Sequence, residues 1–213
     1  MAAAAGILGE SRRIALAATD TAKARSFGQG LAMRLLPKKG NGAAEQVRFL
    51  SGITPMGVAY YRSTAEKLCP DIVELWDEYG AAAGCVLAGI RQKALESGHE
   101  IINCRCPLHP LDTTDHLLLP QAGVGFLSVN RYLASGQEHR RRIHYKRFTD
   151  MAALRRHKSH LNFNRRAAGE LLGCAAGLLA DAKSVHDMLE QYYIEAMDYP
   201  ALDAYFHEIL EEI

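Results

Sequence analysis

Between residues 71 and 104 the chain passes from an apolar run to a helical pattern and back to an apolar run. Residues 71–76 are β-branched and aromatic, which predicts a strand, and residues 77–80 have the composition of a turn. From residue 81 apolar positions recur at helical spacing until Gly98 ends the pattern, and residues 99–104 predict a second strand. This order is that of a βαβ unit, so the sequence predicts an α/β fold with a parallel sheet.

Weaker patterns flank this unit. The predicted strands lie at residues 47–50, 117–119, 124–129 and 143–145, and the predicted helices lie at residues 56–68 and from Asp150 to the end. These patterns divide the chain into three parts. We expect an Ala/Arg-rich segment and linker at 1–46, an α/β core at 47–148 and a helical region at 149–213.

The most regular pattern is a heptad stripe in a long helix, residues 162–197, for which Asn162 or Asn164 is the expected N-cap. Its members alternate spacings of three and four: Leu171, Ala175, Leu178, Ala182, Val185, Leu189 and Tyr192. Such a stripe must be covered by the 149–160 helix, by the terminal helix or by another chain. Asp198-Tyr199-Pro200 ends the long helix before residues 201–213 form a last one.

Composition narrows the functional classes. A chain of 213 residues with a net charge of +1 is typical of a globular domain and gives no global indication of nucleic-acid binding. Residues 1–48 nevertheless contain eight Lys and Arg against three acids. Such a start is typical of a transit peptide. In our preferred interpretation it is instead a remnant, or a divergent replacement, of a segment that preceded the core. Five cysteines and the lack of a long apolar run predict a cytoplasmic protein with reduced thiols and no membrane segment.

The turn at residues 77–84 has the position of a phosphate-binding loop but not its residues. The motif G-x-x-x-x-G-K-[ST], begun at Asp77, places its second glycine at Ala82, its lysine at Ala83 and its hydroxyl residue at Gly84. An alanine held in the left-handed conformation costs about 1–2 kcal/mol, and a lost charge-assisted hydrogen bond costs about 1.5–3 kcal/mol. The candidate phosphate region is therefore a degenerate Walker A loop, with residues Gly80, Ala82, Ala83, Gly84 and Cys85. The alternative is a small-residue helix start packed against a sheet.

Several patches in order suggest a family. They are residues 51–57, 106–110, 116–120, 186–194 and 196–198. Together, over about residues 47–213, they resemble the C-terminal lobe of a family of uncharacterised bacterial P-loop ATPases that look like tandem duplications of an NTPase-like lobe. The resemblance implies a P-loop NTPase-like sheet with flanking helices and a C-terminal helical hairpin or bundle. It also implies ATP with Mg²⁺ as the ligand and a first lobe with its own P-loop, for which this chain has no room.

Other side chains are candidates for chemistry. Asp112 and Asp115 follow the second strand, where a loop carboxylate can hold Mg²⁺. Arg141, within the basic run 140–147, could replace the missing lysine, although a solvated basic loop is the alternative.

Two further clusters have simpler explanations. Cys104, Cys106, His109 and His116 have zinc-ligand chemistry, but the usual spacing of two cysteines in a structural zinc site is C-x2–4-C rather than C-x-C, so zinc is not expected. His186 and Glu190 are spaced as a surface pair on the long helix.

The sequence thus favours a degenerate P-loop NTPase-like domain with weak or no nucleotide binding and a structural or regulatory role. Its partner would be an identical chain or a separate P-loop lobe, reached through the long helix. The alternative is an active ATP-binding ATPase or nucleotide kinase with a variant loop and basic side chains from 140–147. A metal-binding or nucleic-acid-binding module is a third, weaker possibility.

Overall fold

The computed structural model describes residues 1–37, 42–136 and 141–211. The helices in these residues are α1 (Ala2–Ala17), α2 (Thr21–Leu35), α3 (Arg62–Leu68), α4 (Ala81–Glu96), α5 (Met151–Arg156), α6 (Lys158–Ala196) and α7 (Tyr199–Glu211). The strands are β1 (Ala44–Arg48), β2 (Ser51–Thr54), β3 (Gly57–Tyr60), β4 (Asp71–Trp76), β5 (Glu100–Cys106), β6 (His109–Leu119), β7 (Val124–Val129) and β8 (Arg141–His144). The α/β class is thus confirmed.

Six strands form one mixed sheet in the order β1-β5-β6-β7-β4-β8. The pairs β1–β5, β4–β7 and β4–β8 are parallel, whereas β6 runs antiparallel to both of its neighbours. Strands β4 and β5 therefore run in the same direction, as the βαβ pattern predicts, but β7 and β6 lie between them. The sheet is not wholly parallel, because only Pro107 and Leu108 separate β5 from β6 and so short a connection returns the chain as a hairpin.

Helices cover both faces of this sheet. Alternate side chains of β4, Val73 and Leu75, face α2 and α4 together with Leu117 and Phe126. On the other face Ile72, Cys104, Leu118 and Leu127 pack with Ala65 of α3. Because both faces are buried, the central strands contain nearly continuous apolar residues.

The N-terminal segment is more ordered than its composition predicts. It forms α1 and α2, and α2 lies directly against α4. An added Cβ on Gly28 would overlap the carbonyl oxygen of Val86, and one on Gly89 would overlap that of Arg25. The two helix backbones therefore touch at paired glycines, which anchors the segment to the core.

The helix predicted at residues 56–68 is wrong in its first half. Strands β2 and β3 form an antiparallel hairpin, and α3 begins only at Arg62. Gly57 at the turn has φ +101°, a left-handed conformation open to glycine, and the Thr54 hydroxyl donates to its carbonyl at 2.9 Å. The apolar spacing matched a helix, but the Pro55-Met56-Gly57 turn decides the local structure.

The C-terminal region is helical, as predicted, with a long helix that starts earlier. Helix α6 begins at Lys158, and Asn164 is not its cap but is buried and donates to Ser11 of α1 at 3.2 Å. Its buried face is Leu161, Asn164, Ala168, Leu172 and Ala176. Residues 178–211, here called the arm, are almost entirely exposed. Within the described residues, no helix is both long enough and apolar enough to span a membrane.

Candidate functional site

In the loop between β4 and α4, the carboxyl group of Asp77 is buried and hydrogen-bonded to backbone N–H groups of the loop and of the start of α4. Asp77 is 3% exposed, and its two carboxylate oxygens accept the backbone N–H groups of Tyr79 at 3.1 Å and Ala83 at 3.0 Å. Gly80 caps the helix with φ +69°. Burial raises the pKa of Asp77, and hydrogen bonds from Ala83, Tyr79, Ala82 and Gly80 partly oppose that rise.

This arrangement occupies the groups that a phosphate would need. The free N–H groups of a helix N-terminus form an anion site in nucleotide-binding loops. Here the first turn of α4 directs its N–H groups to the Asp77 carboxyl group, which lies inside the fold. The predicted phosphate region is therefore present as a loop, and its amides have an internal acceptor.

The side chains of the predicted region point away from a ligand. Ala82 and Ala83 belong to the apolar core beneath α4, so a lysine at position 83 would enter the core. Cys85 is half-buried, and burial raises the pKa of its thiol against the opposing charges of Arg12 and Arg25. At Gly84 the nearest group is the Arg12 guanidinium, 2.8 Å from the place of an added Cβ. The residue beside Gly84, where a P-loop motif would have its hydroxyl residue, is thus Arg12 of α1, which no local motif indicates.

Arg141 lies at the other end of β4 from this loop. It pairs in register with Val73 and its guanidinium is 3.7 Å from Asp71, the first residue of the strand. A six-residue strand extends about 20 Å, so Arg141 cannot substitute for the loop lysine in this structure. Arg140 lies outside the described residues, and Arg147 stacks on Phe27 at 4.6 Å.

Arg142 belongs to a buried network on the α3 face of β4. Its guanidinium lies over the Trp76 ring at 5.1 Å and 3.4 Å from Glu74. Burial alone would raise the pKa of Glu74, but hydrogen bonds from the Gly136 N–H, Trp76 and Ser135 and the charge of Arg62 lower it overall. Much of the basic run's charge is thus held by internal contacts rather than left for a nucleotide.

Asp112 and Asp115 both lie on β6 but line different cavities. Asp112 is exposed in a cleft beside α4, and Asp115 lines a smaller cavity of about 130 Å³. They do not converge as a pair of Mg²⁺ ligands. Among the described residues, one group has three adjacent metal-ligand side chains: His186, Asp187 and Glu190, all on the exposed arm. His186 and Glu190 form the expected surface pair at 3.5 Å.

The smaller cavity, here called the edge cavity, lies beyond the carboxyl ends of β4, β5 and β7, where ligands bind in open α/β sheets. Residues of α1 and α6 also line it. The Cys106 thiol donates to Asp115, and burial raises the pKa of Asp115 to about 6 and that of Cys106 to about 12. The Tyr132 hydroxyl is buried there and has no hydrogen-bond partner in the described part of the chain.

Among the described residues, the zinc-type side chains do not gather into a metal-ligand group. Cys104 is packed in the apolar cluster under α3, whereas Cys106 lines the edge cavity. His116 is fully buried, which lowers its pKa to about 3, and it stacks on Tyr60 with ring centroids 5.2 Å apart. Its Nδ1 accepts the Ser128 N–H at 3.2 Å, so this histidine is neutral and part of the core.

Comparison of the chain with family models, with curated proteins and with solved structures gives no match.

Proposed function

We propose that this chain is a degenerate P-loop NTPase-like domain that holds no phosphate at its loop and has a structural or regulatory role. The observation that carries the proposal is the buried Asp77 carboxyl group within the N-terminal turn of α4. A bound phosphate would have to displace Asp77, and the displaced carboxylate would add electrostatic repulsion. The absence of the P-loop lysine and hydroxyl residue at positions 83 and 84 weakens phosphate binding further.

The role belongs to the arm, which carries most of the exposed apolar surface. Fourteen of the exposed large apolar side chains lie on it, among them Val185, Leu189 and Tyr192 of the heptad stripe. A contiguous apolar surface of this kind in a globular protein marks an interaction site. The stripe lies beside, not on, the face of α6 that packs against α1, so it remains open to a partner.

Charge favours a second copy of the chain as that partner. The arm has eight Asp and Glu residues against Lys183, whereas residues 151–166 have five Arg and Lys residues and no acid. Arg165 and Arg166 are exposed on the first third of α6. Antiparallel pairing of two α6 helices places the acidic part of each beside the basic part of the other, while parallel pairing brings like charges together.

Titration of a fluorescent ATP analogue with and without Mg²⁺ tests the loop. We expect no Mg²⁺-dependent binding, and none in an Ala83→Lys/Gly84→Ser variant, because Asp77 still fills the turn and position 83 faces the core. Micromolar binding that requires Mg²⁺ would contradict the proposal and favour an active nucleotide-binding protein.

Light scattering coupled to gel filtration tests the arm. We expect a dimer that Leu189→Glu or Tyr192→Glu converts to a monomer. Gln191→Glu adds the same charge to an exposed, non-stripe position of the arm and should leave the dimer intact. A wild-type monomer at every concentration would exclude self-association and direct the search to a separate P-loop lobe.

A further inference from the structure

Four arginines from four different elements converge on one open cleft beside α4. They are Arg12 of α1, Arg25 of α2, Arg91 of α4 and Arg105 of β5, and the cleft between them has a volume of about 690 Å³. We call it the arginine cleft. Its residues are far apart in sequence and only the packing of α1 and α2 on the sheet brings them together.

Three of these arginines form no ion pair with a described residue, although the charge of Arg105 acts on Glu45 and that of Arg12 acts on Asp115. Arg91 is neutralised by Glu45, whose carboxylate it contacts through both Nε, at 2.8 Å, and Nη2. Arg12, Arg25 and Arg105 form no ion pair with any residue that the structure describes. Arg12 donates to the Thr113 hydroxyl and Arg105 donates to the Leu111 carbonyl at 3.4 Å.

Four arginines and two acids, Glu96 and Asp112, line the cleft, so its lining has a surplus of positive charge. Glu96 accepts from Gln92 and Lys93, and Asp112 is exposed and forms no ion pair within the described ranges. Like charges gathered at one cleft attract counter-ions and raise the local concentration of anionic ligands. The positive field is therefore available to an external anion.

The geometry points to a binding site for a small organic diphosphate in the arginine cleft. Guanidinium groups match phosphate oxygens in two-point hydrogen bonds, and three guanidinium groups without an ion pair, on separate elements, can contact more than one anionic group. The cleft has the size of ordinary small-molecule sites, so it can hold an organic moiety besides the phosphates. Gly84 and Ala88 keep its wall free of bulky side chains.

In a P-loop, backbone amides bind the phosphate. In the arginine cleft, side chains would bind it, about one turn along α4 from the loop. The backbone amides of the loop stay hydrogen-bonded to Asp77. Binding therefore needs no Mg²⁺ and no opening of the loop. The inference is independent of self-association through the arm.

Isothermal titration with inorganic pyrophosphate, without Mg²⁺, tests this inference. We expect wild-type protein to bind, and Arg25→Gln and Arg105→Gln each to weaken the affinity by roughly tenfold or more, the usual effect of losing a charge-assisted hydrogen bond. Arg13→Gln is the matched control, because Arg13 neighbours Arg12 in sequence on α1 but is exposed and paired with Glu10. It should bind as wild type does.

Two results would overturn the inference: no binding by wild-type protein, or equal weakening in Arg13→Gln and Arg25→Gln. Thermal unfolding of each variant without pyrophosphate shows whether the fold is intact, and Arg25 is exposed, so its replacement leaves the core unchanged. The dimer measurement is made without pyrophosphate, so failure of this site and failure of the arm proposal are separate results. Binding that required Mg²⁺ and survived both arginine substitutions would also overturn this inference, and it would contradict the proposal for the loop.

Discussion

At Asp77 one carboxyl group provides what a bound phosphate provides elsewhere, an acceptor for the free N–H groups of a helix start. The residue is buried between β4 and α4, so its bonds are made where water cannot replace them. The sequence indicates the loop through its position after a strand, but not the acceptor, because an aspartate in a turn is ordinary. Only the distances to Tyr79 and Ala83 show what it does.

We expect Asp77→Ala to lower the free energy of unfolding by about 1–3 kcal/mol, the cost of leaving buried N–H groups without an acceptor. The control is Asp150→Ala, which removes the exposed cap of α5, where Asp150 accepts from Ala152 and Ala153. Water can bind those amides, so the loss should be smaller than in Asp77→Ala and at the lower end of the range for helix caps. Urea denaturation measures both, and a smaller loss in Asp77→Ala would contradict the buried role.

The Asp115 carboxyl group gives the fold a pH dependence of unusual sign. Its pKa is raised from 3.8 to about 6 in the folded chain, mainly by burial, so the native state holds the proton more tightly than the unfolded state. This contribution is fully present below about pH 4 and is lost as the pH rises through about 6, by about 3 kcal/mol in total. Asp115→Asn should therefore gain stability relative to wild type between pH 4 and 7. A constant difference in urea midpoints over that range would exclude the shift.

Among the elements, α2 and α4 depend on glycine for their contact. Gly28 and Gly89 let each helix approach the backbone of the other, and this contact carries Arg25 to its place beside Cys85. In the sequence Gly28 also weakens the helical pattern of residues 21–35, because glycine is a poor helix former. The residue that makes α2 harder to predict from its local pattern is therefore one that holds α2 against α4.

Gly28→Ala and Gly89→Ala should each lower the free energy of unfolding by more than about 2 kcal/mol, because the new methyl group overlaps backbone atoms that cannot move away cheaply. Gly30→Ala is the control within α2, since no described atom lies within 4 Å of its added Cβ. It should be neutral or stabilise by up to about 1 kcal/mol. Thermal or urea unfolding of the three variants gives the comparison, and equal effects would show that the helices do not touch at these residues.

The periodicity of apolar residues predicts those helices and strands whose formation depends on their own sequence. Strands β4 and β7 and helix α4 lie where the apolar pattern places them. Strand β6 was predicted over three residues and spans eleven, since its polar first half is held by pairing with β5 rather than by burial. The arginine cleft and the edge cavity depend on α1, whose position no local pattern determines. The sequence therefore indicated the loop but could not reveal what surrounds it.

At the scale of the whole molecule, charge is separated along one helix. The basic start of α6 and its acidic end lie on one helix of about 58 Å. Only its first half, as far as Ala176, packs against the rest of the described residues. A net charge of +1 conceals this polarity.

If antiparallel charge pairing supports the dimer, salt must weaken it. We expect the dissociation constant to rise from low to high ionic strength, as the Debye length falls from about 30 Å at 0.01 M to about 3 Å at 1 M. Sedimentation equilibrium at several salt concentrations measures the change. An apolar interface without charge pairing would show the opposite trend or none.

The strand order also sets the sequence of events during synthesis. In the part of the chain that the structure describes, strand β4 pairs with β7 and β8 alone, and both follow it in the chain, beyond residue 123. While the ribosome synthesises α4, β5 and β6, the strand that contains Ile72, Val73 and Leu75 therefore has no partner strand to pair with. An unpaired apolar strand is where chains associate wrongly before they finish folding. The yield of folded protein should accordingly depend on how quickly translation carries the chain past β7, and on chaperones that bind nascent chains.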